Sequence, residues 1–205
     1  MQSSKRIAIF ASGSGSNFEA IVKASIADNT AYQVVGLVCD KPDAYVLQRA
    51  ARLGIPAHVV RPKQYLNREA YEHELVRHLA AWDIDFIVLA GYMRLITPVL
   101  LTAYDNRILN VHPSLLPAFP GMHAVEQALA YGAKVVGVTV HLVDGGMDSG
   151  PIVAQEAIVV HAEDTAQTLL TRIQAVEHRM YPEAVRAYAE GRVRLEGRRT
   201  YTIER

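Results

Sequence analysis

A single cysteine, Cys39, stands among the 205 residues. One cysteine forms no internal disulfide, which excludes a disulfide-stapled secreted domain and points to a reducing compartment. Cys39 closes the apolar run Val34-Val35-Gly36-Leu37-Val38 and reads as a small buried residue. Long hydrophobic runs are lacking too. After Lys5 and Arg6 the apolar stretch lasts only about five residues, which suits a first strand and not a signal peptide or membrane span. There is no net charge, because 21 Lys and Arg balance 21 Asp and Glu. A broad nucleic-acid footprint needs a basic excess, so none is expected, although a small basic pocket for one phosphate stays open. No HExxH, no cysteine pair and no EF-hand loop is present, so no metal is expected. The chain shows no repeat, low-complexity segment or linker. From these absences a cytoplasmic enzyme or binding protein is expected, with no nucleic-acid or membrane partner. They leave monomer and homodimer equally open.

What is present is strand and helix in alternation. Lys5 to Ala11 reads as a buried strand, followed by Ser12-Gly13-Ser14-Gly15-Ser16-Asn17 and a helix from Phe18 with Ile21, Val22, Ser25 and Ile26 on one face. Strands are expected at Val34 to Val38, Pro56 to Val60, Phe86 to Ala90 and Ile108 to His112. Helices are expected from Asp43 to Leu53, ended by Gly54, and from Arg68 to Trp82, with a short one opened by Thr97-Pro98. This alternation is the sign of an α/β fold: a mostly parallel, doubly wound, Rossmann-like sheet with helices on both faces. After Gly121 a helix runs from Ala124 to Tyr131. Two long strands, Lys134 to Val143 and Ile152 to Val160, follow with no helix between them, so an antiparallel addition is expected in the C-terminal part. Asp164-Thr165 caps a long helix to about Glu190, and a terminal hairpin closes the chain. The whole of 1–205 reads as one domain. Its halves divide at about residue 110.

Four stretches carry chemistry. In Asn110-Val111-His112-Pro113-Ser114-Leu115-Leu116-Pro117, residues 110 and 112 share one strand face. Asn110 can donate to a developing oxyanion and His112 can move a proton near neutral pH. Pro113 stops the strand there. The carboxyl end of a strand is where an open α/β sheet puts its chemistry. The loop Asp144-Gly145-Gly146-Met147-Asp148-Ser149-Gly150-Pro151 has a defined conformation. Either it is a turn with solvated carboxylates, or one carboxylate reaches and orients His112. The glycine loop at residues 13–17 is either a tight turn or a phosphate cradle at a helix N-terminus; it lacks the third glycine of a dinucleotide fingerprint and the Lys of a P-loop. Gly91-Tyr92-Met93-Arg94-Leu95-Ile96 is core or a flat apolar slot. Glu177, in mid-helix, reads on spacing alone as a solvated charge.

Together, Ser12–Asn17, Ala90–Leu95, Asn110–Pro117, Val140–Asp144, Asp148–Pro151 and Glu177-His178 resemble the phosphoribosylglycinamide formyltransferases of de novo purine synthesis. The resemblance spans nearly the whole chain, and it implies a nucleotide-binding half to about residue 110 and a folate-site and C-terminal half from about 111. It implies transfer of the formyl group of 10-formyltetrahydrofolate, a co-substrate, to the primary amine of glycinamide ribonucleotide. By matching position it makes Asn110, His112 and Asp148 the catalytic trio. It places Gly15, Ser16, Asn17 and Glu177 on the nucleotide. Arg68, Met93, Arg94, Leu95, Ile96, Asn110, Val143 and Asp144 fall on the folate, and no metal is implied. A methionyl-tRNA formyltransferase is expected to carry a further basic domain, and a formyltetrahydrofolate hydrolase an additional N-terminal one. A silent nucleotide- or folate-binding module has no need of Asn110, His112 and Asp148 together.

Overall fold

The computed structural model describes residues 4–27 and 31–203. The fold is a mostly parallel seven-stranded sheet with helices, plus a small separate antiparallel hairpin. The chain divides into two compact units, Met1–Leu109 and Asn110–Arg205.

In the first unit β1 (Lys5–Ala11), β2 (Tyr32–Cys39), β3 (Ala57–Val59) and β4 (Phe86–Leu89) lie in the order β3-β2-β1-β4, paired in parallel. Every residue of β4 is buried, as a run apolar on both faces requires. The order reverses at β1, which has β2 on one side and β4 on the other. A reversal of this kind opens a crevice at the carboxyl ends of the strands. The segments after β1 and β4 therefore flank the ligand-competent position of this unit.

The helices are α1 (Ser16–Ala27), α2 (Val46–Arg52), α3 (Arg68–Ala81) and α4 (Pro98–Ala103). α1 begins two residues before the expected Phe18, because the Gly15 carbonyl already accepts from Glu19 N–H at 3.0 Å. Its core face is Phe18, Ile21 and Val22, whereas Ile26, expected on that face, stands 66% exposed in the last turn. α2 starts later than expected, since a turn from Lys41 to Ala44 precedes it and Val46 N–H is given to Gly13 O. α3 is capped by Asn67, whose side chain accepts from Ala70 N–H. Thr97 caps α4, with Pro98 at its first position.

The second unit takes in the end of β5 (Ile108–His112), then α5 (Ala124–Tyr131), β6 (Val135–Leu142), β7 (Ile152–Val159), α6 (Ala166–Ala189), β8 (Val193–Glu196) and β9 (Arg199–Thr202). β6 and β7 pair antiparallel, as do β8 and β9. The expected bounds of β5 and α5 are met residue for residue. Thr165 and Thr168 form a reciprocal capping box at the start of α6. Among the described residues no helix is long and apolar enough to cross a membrane.

Candidate active site

The chemistry-bearing residues of the second unit meet at the carboxyl end of β5. Val111 turns into packing, while Asn110 and His112 project together as residues i and i+2 of a strand must. His112 is buried, and both ring nitrogens have partners. Nδ1 lies 3.3 Å from Asp148 Oδ2, and Nε2 lies 2.8 Å from the Phe119 carbonyl. Both partners only accept hydrogen bonds. The ring satisfies both at once only when both nitrogens carry protons.

Of the two carboxylates in the 144–151 loop, Asp148 is the one that reaches the imidazole. Its Oδ2 also accepts from Gly121 N–H at 2.7 Å, and its Oδ1 lies 3.6 Å from His141 Nε2. The His141 imidazole beside it does most to hold the Asp148 carboxyl below its ordinary range. Burial opposes this, while the Gly121 N–H and the charges of His112 and His141 reinforce it. Asp144 is used inside the loop, accepting from Gly146 N–H at 3.0 Å and Ser149 Oγ at 2.6 Å. That is an Asx-type brace.

His141 was given no role by sequence reasoning, yet it completes the cluster. It is 2% exposed, near the end of β6. Nδ1 lies 2.9 Å from the Leu142 carbonyl, so Nδ1 carries the proton. Nε2 lies 3.2 Å from Asn110 Nδ2, so it faces both the carboxamide and the Asp148 carboxylate. The Asp148 carboxylate thus lies between two imidazoles, with Asn110 linked through the second.

Backbone strain concentrates here. Phe119, His123 and Asp148 have φ of 52°, 61° and 50°, three of the five non-glycine residues with positive φ among those described. Such conformations cost about 1–3 kcal/mol each and persist where the surroundings enforce them. At Phe119 the turn aims the carbonyl at His112. At Asp148 it turns the carboxylate back toward β5 and β6. Below this, buried Thr139 accepts from Leu116 N–H and Gln155 Nε2–H and donates to the Ser114 carbonyl. That network fixes the segment after His112. Glu177 is 6% exposed in α6, not solvated as its spacing suggested. Val143 is half-buried.

The first unit presents the glycine loop. Its carbonyls are turned toward α2: Gly13 O accepts from Val46 N–H at 3.1 Å and Ser14 O from Arg49 Nε–H at 2.8 Å. Gly15 has φ of 76°, and a Cβ there would come within 2.3 Å of Val46 Cγ2. Gly15 therefore serves a close backbone approach as well as a turn. Ser16 and Asn17 occupy the first turn of α1, whose leading N–H groups lack helical acceptors. After β4, Met93 and Leu95 are exposed while Arg94 and Ile96 are half-buried. Arg68 stands exposed at the first position of α3. Among the described residues no group of three His, Cys, Asp or Glu could hold a metal ion.

Residues 5–185 match the family model described as formyl transferase. The chain is 50% identical over 182 residues to the phosphoribosylglycinamide formyltransferase of Bacillus subtilis (strain 168), covering 89% of this chain and 93% of that one. It superposes on the crystal structure of glycinamide ribonucleotide transformylase 1 from Symbiobacterium toebii with a TM-score of 0.96 and 47% identity, over 98% of this chain and 95% of the other. A formyltetrahydrofolate deformylase from Pseudomonas syringae pv. tomato str. DC3000 superposes with a TM-score of 0.90 and 25% identity, over 98% of this chain and 67% of that one.

Proposed function

The chain belongs to the formyl transferase family, and we propose from this that it transfers the formyl group of 10-formyltetrahydrofolate to the primary amine of N1-(5-phospho-D-ribosyl)glycinamide, in purine biosynthesis. The observation that carries the reading is the Asp148 carboxylate set between His112 and His141, with Asn110 beside them. A binding module has no use for that arrangement.

The folate brings an activated formyl carbon. Attack by the amine puts negative charge on the formyl oxygen, and this chain's residues answer that charge. The Asn110 amide donates to the oxygen. His112 Nε2–H exchanges the Phe119 carbonyl for the same oxygen, and Asp148 keeps the ring oriented and stabilises its charged form. As the bond between the formyl carbon and N10 of the folate breaks, His112 gives its proton to N10, and the proton lost by the attacking nitrogen returns to His112 directly or through water. An oxyanion donor is worth about 10²–10³ in rate, and a positioned proton transfer about 10²–10⁴. Aligning amine and formyl group supplies a further contribution of about 7–11 kcal/mol.

For the nucleotide we propose contacts from Gly15, Ser16 and Asn17, at a pinned loop and a helix N-terminus suited to phosphate, and from Glu177. For the folate we propose Arg68, Met93, Arg94, Leu95 and Ile96 in the first unit, and Asn110, Val143 and Asp144 in the second. The exposed Met93 and Leu95 fit a flat, largely apolar ring. The proposed partners are these small molecules, without nucleic acid or membrane. The proposed location is the cytoplasm, as monomer or homodimer.

The deformylase likeness supports a second reading, hydrolysis of the same folate. One assay separates the two: appearance of tetrahydrofolate is followed by absorbance with the nucleotide present and omitted. Transfer requires the nucleotide. Turnover at equal rate without it identifies a hydrolase.

A further inference from the structure

Between the end of β4 and the start of α4 the chain runs from Ala90 to Thr97 without regular structure. A segment of this kind is ordinarily mobile, and ordering it on a ligand costs affinity. Here it is tied along its length from the side of the core. Ala90 N–H donates to Phe10 O at 2.8 Å, and Gly91 O accepts from Ser12 N–H at 3.1 Å. Met93 N–H donates to Ser12 Oγ at 3.0 Å. The Tyr92 ring packs edge-on to Phe10, and its hydroxyl lies 2.7 Å from that of Tyr71. Burial lifts the Tyr71 hydroxyl pKa to about 12 and pushes that of Tyr92 up as well, so both phenols stay protonated and the pair keeps its hydrogen bond. The Arg94 guanidinium is held over the Tyr71 ring, with Nη1 3.5 Å from the buried carboxylate of Asp40.

The far end is held by Glu72, which is only 3% exposed. Oε1 accepts from Thr97 N–H at 2.8 Å, and Oε2 accepts from Thr97 Oγ1–H at 2.6 Å and from Leu100 N–H at 3.1 Å. Three donors converge on one side chain. A carboxylate satisfies all three, whereas a carboxamide turns its own N–H₂ toward donors. Burying a carboxylate is costly without such partners. Glu72 thus cements α3 to the Thr97 turn and the start of α4. The consequence is a shelf fixed from behind that presents Met93 and Leu95 outward, 63% and 55% exposed.

We infer that Glu72, with Asp40 acting through Arg94, positions Met93–Ile96 as a preformed shelf for the ring system of the folate. This rests on the reading that Met93–Ile96 receives the folate. Neither carboxylate touches the reacting atoms; both act through the segment they hold.

The test compares wild type with Glu72→Gln, and separately with Asp40→Asn, which leaves the Thr97 turn intact. Binding of a stable 10-formyl folate analogue to wild type is measured first by calorimetry. No binding there overturns the folate reading itself. With binding established, each variant is expected to raise the KM for 10-formyltetrahydrofolate, about tenfold for Glu72→Gln. The KM for the nucleotide and the kcat at saturating folate are expected to stay within about twofold. A lowered melting temperature with an unchanged folate KM overturns the proposal, as does an equal change in both KM values. If Glu72→Gln does not fold, Asp40→Asn decides alone, an unchanged folate KM overturning it.

Discussion

Asp148 Oδ2 lies 3.3 Å from His112 Nδ1, and Asp148 holds that position in a left-handed backbone conformation with φ of 50°. The carboxylate comes from the β6–β7 loop and the imidazole from the end of β5. The pair depends on a strained turn kept in place by the Gly121 N–H. Asp and Asn tolerate this region better than other L residues, so an Asn replacement keeps the backbone while removing the charge.

The support beneath His112 is testable without touching the chemistry. Thr139→Val keeps the shape but leaves Leu116 N–H, Gln155 Nε2–H and the Ser114 carbonyl without the hydroxyl they share. The expected loss is about 1–3 kcal/mol of stability, read by urea unfolding. A change under about 0.3 kcal/mol would show that the network relaxes onto other partners.

Gly15 and Gly13 differ although they sit two residues apart. Gly15→Ala places a Cβ against Val46 at positive φ, whereas at Gly13 nothing lies within 4 Å of the added carbon. Gly15→Ala is expected to lower stability by about 2 kcal/mol and Gly13→Ala by no more than about 0.5 kcal/mol. Thermal unfolding of the two variants side by side checks the contrast. Equal losses would remove the packing reason for glycine at 15.

Asp85 gives a pH signature. Burial opposes its ionisation, but the Arg6 N–H at 2.7 Å, Lys5 at 3.0 Å and the charge of Arg107 outweigh it and hold its carboxyl below the ordinary range. A carboxyl depressed in the folded state adds stability above its unfolded pKa of about 3.9, and that stability is lost as pH falls through the lower folded value. Wild type is therefore expected to exceed Asp85→Asn at pH 6, by at most about 1 kcal/mol for a pair this exposed. The gap closes below about pH 4. Urea titrations across that range check it, and a gap that widens in acid would refute it.

Much of this was legible from residue order, because periodicity and punctuation are local. Pro113 and the apolar Ile108-Leu109 bounded β5, and Thr97-Pro98 opened α4, as turn chemistry requires. The β6–β7 antiparallel addition followed from two strands with no room for a crossover helix. His141 escaped because it sits inside Val135–Leu142, where β-branched alternation signals only a strand. Its role comes from Asp148, seven residues on, folding back over it. Glu72 escaped for the same kind of reason. On α3 it reads as a helix charge, and its burial is decided by Thr97 and Leu100, which arrive 25 and 28 residues later. Glu177 likewise looks solvated from spacing and is buried by tertiary packing.

The most direct measurement is single-turnover formyl transfer by Asp148→Asn, with folding checked by circular dichroism and nucleotide binding by calorimetry. The predicted result is native folding and near-wild-type nucleotide affinity, with the transfer rate lowered about 10³-fold or more, as when a carboxylate that orients and charges a histidine is neutralised. A transfer rate within a few-fold of wild type would contradict the role given to Asp148, and with it the assignment of His112 as the proton donor.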